Sequence, residues 1–214
     1  ALRQGQLNGA RADSLLQVAS DALTRIGTLL ETLEGLATQA DSGALTDYNR
    51  TFLDVAFQDG LGAIDSIAAT TSFGGTPLLD GTFSPFQLTV GESDSVVEVT
   101  IDAADSATLL GGATPNIATQ AAAQIALPVV QSAREEINIR IAEVQTSQAA
   151  LLANDNVLAN AIFDIDTARG ALINTDIPRE TARNAALQLQ QDVGISVSAQ
   201  TQALSSGLLD LLRF

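Results

Sequence analysis

One apolar seam constrains this chain more than any other feature. Ile137, Ile141, Val144, Gln148, Leu151, Asp155, Leu158, Ile162, Ile165, Arg169 and Leu172 follow one another at alternating four- and three-residue steps. That spacing is the heptad of a helix that lays a lengthwise stripe on its neighbours. Three polar residues interrupt it: Gln148, Asp155 and Arg169. They either fix helix register or mark where the seam drifts to the surface. Glu136 and Arg140, four apart, form a supporting pair on the same helix. Unbroken, residues 131–172 would extend about 60 Å at 1.5 Å per residue. A compact ball of 214 residues cannot hide such a helix, so the seam predicts a rod.

The rest of the chain divides by period. Leu15, Val18, Ala22, Ile26, Leu29, Leu33 and Leu36 predict an amphipathic helix over residues 14–39, stopped by Asp41-Ser42-Gly43. Thr46 is a fitting N-cap for a second helix, with Asp47 in its first turn. Phe52, Val55, Ala56, Ala63 and Ile67 share one face of it. Gly60 and Gly62 each cost about 1 kcal/mol there relative to Ala, which implies a close neighbour or a local break. After a Gly/Pro-rich stretch over 74–85 the period changes to two. Phe86, Leu88 and Val90, then Val97, Val99 and Ile101, flank Gly91-Glu92-Ser93-Asp94-Ser95 and predict a β-hairpin over about 84–103 that lies on the helices. Residues 111–116 form another Gly/Pro loop, and Pro128 is expected to kink or start a helix.

The last helix is read as opening at Asp176 and Pro178, with Glu180 in its first turn. Leu187, Leu189, Val193, Val197, Leu204, Leu208, Leu211 and Leu212 lie along it, separated by Gly194, Ser196, Ser198, Ser205, Ser206 and Gly207. Such a helix is marginal alone in water, so these residues are expected to form an assembly surface. The fold class is therefore mainly α: an elongated antiparallel helical bundle or coiled coil with a small β-hairpin subdomain.

Composition narrows the function. Acidic residues number 25 against 10 basic ones, all of them Arg, for a net charge of −15. A surface this acidic repels phosphate and anionic lipid, so neither nucleic acid nor membrane is expected as a partner. The absence of His, Cys and Lys removes the usual base, thiolate and amine nucleophiles and the commonest metal ligands. No enzyme activity, cofactor or metal is expected. Asp164 and Asp166 stand two apart on a helix and face different sides, which reads as solvated surface. Glu92 and Asp94 could touch Ca²⁺, but no complete oxygen cage accompanies them. Gly74-Gly75 and Gly111-Gly112 read as turns, since no phosphate-loop Lys exists. No apolar run reaches the roughly 18 residues of a membrane span, and no cleavable signal opens the chain.

Several stretches resemble one family. Asp21–Ile26 leading through Leu33–Ala40 is similar to the first core helix of bacterial flagellins. Ala63-Ile-Asp-Ser-Ile-Ala68, Thr71-Ser-Phe-Gly-Gly75 and Leu78-Leu79 resemble the family's E-I-D-R-I-A…T-x-F-N-G…L-L. The segment Phe86–Ile101 is similar to its L-x-I-Q-V-G…I-x-I-x-L. Ala168-Arg169 through Thr175-Asp176, then Glu180-Thr181, resembles A-R-S-R-I-x-D-x-D…E-T. Leu189–Gln200 looks like L-Q-Q-A-G-x-S-x-L-A-Q, and Leu208–Arg213 resembles the terminal L-S-L-L-R. With gaps, these matches run from about residue 9 to 213.

The resemblance implies a structural subunit of the flagellar filament that homopolymerises for motility. It also implies type III export, an export chaperone on the C-terminal helix, and filament cap and hook–filament junction proteins as partners, all outside the cell in the bacterial flagellum. Residues 1–175 would form the core rod domain and 176–214 the C-terminal helix of the inner-tube terminal domain. The sequence departs from the family in four places. The usual N-terminal helix is missing, so a truncated chain is expected. Ala10-Arg11-Ala12 stands for N-D-G. Thr201-Gln202-Ala203-Leu204 stands for Asn-Gln-x-Pro, with Phe214 extra. No large outer domain separates the hairpin from the long helix. Two other readings stand beside it. One is a flagellin-like surface binding protein or adhesin, against which the acidic surface and missing Trp count. The other is a hook–filament junction protein, against which Phe73-Gly74-Gly75 and the following hairpin count.

Overall fold

The computed structural model describes residues 2–83, 85–89 and 96–211. Helix α1 covers Leu2–Asp41, α2 Asp47–Thr70, α3 Ser106–Leu109 and α4 Gln120–Leu211. Strands β1 (Ser72–Phe73) and β2 (Thr76–Pro77) form one antiparallel pair, β3 (Phe86–Thr89) and β4 (Val96–Val99) another. The chain divides into two units, Ala1–Asn160 and Ala161–Phe214.

In the first unit α1 runs antiparallel to α2 and to the first part of α4. Ala40 and Leu33 of α1 lie against Arg50 and Gly60 of α2. Glu34, Gly27 and Gly9 of α1 lie against Arg134, Ile137 and Asp155 of α4. The buried positions of α1 include Ala12, Leu16, Ala19, Leu23, Ile26, Leu30, Leu33, Ala37 and Ala40, a continuous heptad. Of the stripe read from the sequence, Leu15, Ala22, Ile26 and Leu33 are buried and Leu29 and Leu36 are half-buried against the core, whereas Val18 is exposed. On α4, Ile137, Val144, Leu151 and Leu158 are buried, while Ile141, Gln148 and Asp155 are half-buried. Both polar residues therefore sit in the seam, whereas Arg169, Ile165 and Leu172 are exposed. Asp155 is accommodated by a glycine, since a Cβ on Gly9 would lie 2.5 Å from its Oδ1.

The buried face of α2 differs from the sequence reading. Phe52 and Val55 are 60% and 61% exposed, and Ala56 is exposed too. The face that enters the core carries Arg50, Phe57, Leu61, Ile64 and Ala68. Ala63 and Ile67 of the expected face are half-buried, and Ile67 packs against the core.

Gly60 and Gly62 are explained separately. A Cβ on Gly60 would lie 2.6 Å from Leu33 Cδ2, and Leu33 is fully buried; a Cβ on Gly62 would meet nothing within 4 Å. Opposite signs are expected. Gly62→Ala should stabilise by about 1 kcal/mol through helix propensity. Gly60→Ala should destabilise by about 1–3 kcal/mol through overpacking. Urea midpoints of the two variants moving the same way would contradict this account.

The corner between α1 and α2 is closed by Arg50, 4% exposed. Its Nε donates to Ala40 O at 2.6 Å, its Nη2 to Ser42 O at 2.8 Å and its Nη1 to Asp47 Oδ1 at 2.7 Å. Ala40 O, one of the carbonyls that a helix end leaves unpaired, thus gains a donor, and Ser42 O gains one beside Leu45 N. Thr46 caps α2 as the sequence predicts, accepting from Asn49 N. The second buried arginine, Arg140, donates Nε and Nη2 to Glu136 Oε1, the expected pair.

Gly74 and Gly75, at φ 59° and 86°, form the tight turn between β1 and β2. Positive φ at both central residues suits a hairpin whose strands twist right-handedly. In the larger hairpin Phe86 pairs with Val99 and Leu88 with Val97. Val99 and Ile101 are buried in the helical core. Val90 and the turn Gly91–Ser95, with Glu92 and Asp94, lie outside the described residues.

Helix α3 was not read from the sequence. Asp105 caps it, accepting from Thr108 N. Acids of α2 hold the same loop: Asp65 accepts from Ser106 N and Asp54 from Ile117 N, each at 2.7 Å. Burial is the largest single influence on the Asp105 carboxyl and pushes its pKa up, but bonds from the Thr108 hydroxyl and amide outweigh it and leave the value lowered. A folded value below the unfolded 3.8 contributes stability that is present above pH 3.8 and lost as pH falls through the lowered value. Acid unfolding of Asp105→Asn should accordingly fall less steeply with pH below 3.8 than that of the parent; equal slopes would remove the cap from this account.

Helix α4 begins earlier than expected. Ala122 N donates to Thr119 Oγ1, which caps the helix, and Pro128 lies eight residues inside it rather than at its start. Burial of Ala123, Ala126, Val130 and Ala133 on both sides of Pro128 offsets its missing donor. Nor does a new helix open at Asp176, because α4 runs on through Pro178.

Candidate functional site

Only one described segment combines length with unpartnered apolar side chains. In the second unit, α4 exposes Phe163, Ile165, Leu172, Ile173 and Ile177, and then Leu187, Leu189, Val193, Ile195, Val197 and Leu204. Five of the eight residues expected to form an assembly surface are among them, between 55% and 69% exposed. Leu208 and Leu211 lie on the same helix, with side chains beyond those described, and Leu212 lies outside the described residues. A soluble protein rarely leaves so much aliphatic surface uncovered along one element unless something else covers it.

The polar residues between them make few demands. Ser198 Oγ donates to Gly194 O at 2.8 Å and Thr201 Oγ1 to Val197 O at 2.6 Å. Ser205 and Ser206 donate to Gln202 O and Ala203 O. Hydroxyls bonded to their own helix can enter an interface without a new partner. Charge is nearly absent as well: between Arg183 and Asp210 the only ionisable residue is Asp192. The surface is apolar and small-polar, suited to helix-against-helix contact and not to group transfer.

Sequence reasoning missed further exposed apolar residues. Tyr48 and Phe52 on α2 are exposed, in an edge-to-face contact with centroids 5.1 Å apart. Of the two, the sequence reading placed only Phe52, on the buried face. Among the described residues no group of three or more acidic side chains could hold a metal, and no helix is long and apolar enough to cross a membrane. Asp164 and Asp166 are both exposed.

Known proteins resemble this chain in sequence and fold. The pattern of the bacterial flagellin N-terminal helical region matches residues 1–84. Flagellin FljM of Caulobacter vibrioides is 25% identical over 203 residues, covering 95% of this chain and 74% of that protein. The crystal structure of Bacillus cereus flagellin superposes with a TM-score of 0.63 at 27% identity, over 72% of this chain and 88% of that one. A putative flagellar hook-associated protein from Vibrio parahaemolyticus gives a TM-score of 0.67 at 16% identity, over 79% and 90% of the two chains, a likeness of fold alone.

Proposed function

We infer the role of this chain from the premise that it belongs to the bacterial flagellin family. It is a structural subunit of the flagellar filament, not an enzyme, and it works by assembling with further copies outside the cell. The observation that carries this reading to particular residues is the exposed apolar run Leu187–Leu204, which no described residue of its own unit covers. In this reading residues 1–175 form the core rod and residues 176–214 the helix that enters the inner tube.

Partners follow from the same surface. An exposed aliphatic helix must be shielded before assembly, so an export chaperone would hold Leu187–Leu212 until the chain leaves by type III export. Cap and hook–filament junction proteins would then meet the same helix at the two ends of the polymer.

Electron microscopy of the full-length protein after salt-induced assembly tests the role directly. Screening of the −15 charge should promote growth of open-ended filaments. Closed rings or short capped stacks would instead favour the hook-associated reading. A protein that stays monomeric at every salt concentration would refute both.

A further inference from the structure

We propose that the pocket between the end of α3 and the early part of α4 takes a carboxamide, the side-chain amide of an asparagine or glutamine on a partner polypeptide. The proposal stands apart from the filament reading, and its failure would leave that reading untouched.

The pocket encloses about 390 Å³, with Leu110 and Gly111 on one side and Ser132, Glu136 and Arg140 on the other. That volume is within the range of small-ligand sites. Its α3 wall is fixed in place. Asp65 of α2 accepts from Ser106 N, Asp105 caps the helix, and Gly112 N donates back to Ala107 O at 2.7 Å. The α4 wall is anchored by Ala133 and Ile137, both fully buried in the core. The pocket is therefore formed before any ligand arrives.

Arg140 sets its chemistry. The residue is only 8% exposed, yet two of its three side-chain nitrogens take up all its bonds. Nε and Nη2 both donate to Glu136 Oε1, at 3.1 and 3.0 Å. Nη1 is buried and meets no acceptor among the described residues. A donor on a buried charge keeps its full desolvation cost until it is met, so such an orphan marks a place prepared for an acceptor. Nη1 itself has almost no exposed surface, and a ligand reaches it as a lining side chain turns aside. On the other edge of the same ion pair, Glu136 Oε2 takes no bond among the described residues, and the Glu136 side chain is half-exposed.

The ligand must therefore accept at Nη1 and donate at Oε2. A carboxylate has no hydrogen to give, and both Glu136 and the net charge of −15 repel it. An ammonium or guanidinium has no acceptor, and Arg140 repels it. A carboxamide carries a carbonyl oxygen and an NH2 in one plane and has no charge. Leu110 and Val129 give its methylene an apolar flank.

The test is a titration of the isotope-labelled full chain with N-acetyl-asparagine methylamide, following the Arg140 Nε–H and Gly111 N–H signals by nuclear magnetic resonance. Both should shift saturably, with a Kd of roughly 1–10 mM, as for a small neutral fragment. The aspartate analogue at neutral pH should bind at least tenfold more weakly. Arg140→Lys should lose the binding, because an ammonium held by Glu136 cannot also stand where Nη1 does. Ser132→Phe fills the pocket from an exposed position without touching the ion pair. It should weaken binding at least tenfold with an unchanged urea midpoint, and it decides the matter if Arg140→Lys fails to fold. No saturable shift at about 100 mM probe, equal affinity for the aspartate analogue, or parental binding by Ser132→Phe would each overturn the proposal. Equal shifts with glucose would overturn it too, in favour of a polyol site.

Discussion

Phe57→Ala is expected to destabilise the first unit by about 3–5 kcal/mol, the range for truncating a buried aromatic side chain. Phe57 is 0% exposed and is the largest of the fully buried side chains. Its removal leaves a cavity between helices whose backbones are already held close, so little collapse can compensate. Phe52→Ala, five residues away on the same helix, should cost less than about 1 kcal/mol. Its ring is 60% exposed, and its main aromatic neighbour is Tyr48, also exposed. Urea denaturation of both variants checks the orientation of α2. Similar losses, or a larger loss at Phe52, would mean that α2 is rotated from the position described.

The second large effect is expected at Arg50. Arg50→Ala leaves Ala40 O without its side-chain donor in a buried corner, while Ser42 O keeps Leu45 N at 3.3 Å. An unsatisfied buried acceptor costs about 1–3 kcal/mol, and the loss should fall in that range. Arg50→Lys should recover less than half of it, since one ammonium cannot reproduce the fork that spans both carbonyls and Asp47. Asp47→Ala should cost less than about 1 kcal/mol, because the Asp47 side chain is 69% exposed and an exposed ion pair contributes little. Arg50→Ala and Asp47→Ala losses of equal size would show that the ion pair, and not the carbonyl pairing, is what matters.

How far the fold could be read in advance depended on how local its causes were. Thr46, Gly74-Gly75 and the Phe86–Val99 pairing were legible, because caps, turns and strand alternation are set by residues within a few positions. The face of α1 was legible in large part, since Leu15, Ala22, Ile26 and Leu33 of its stripe are buried. That of α2 was legible only towards its end, where Ala63 and Ile67 are half-buried. On α2 the stripe was started at Phe52, which is exposed, and so missed the buried line Phe57, Leu61, Ile64 and Ala68. The loop behind α2 was illegible for another reason: Asp54 and Asp65 act on amides 63 and 41 residues away. The candidate surface was visible as an apolar run, and no described residue of its own unit covers it.

The corner held by Arg50 also bears on how quickly this chain can organise. Its partners Ala40 and Ser42 lie ten and eight residues away in sequence. Closing so short a loop takes on the order of 10–100 ns. The α1–α2 hairpin can therefore nucleate from neighbouring residues alone. With so local a start, the first half of the chain can set before its contacts with the distant α4 form.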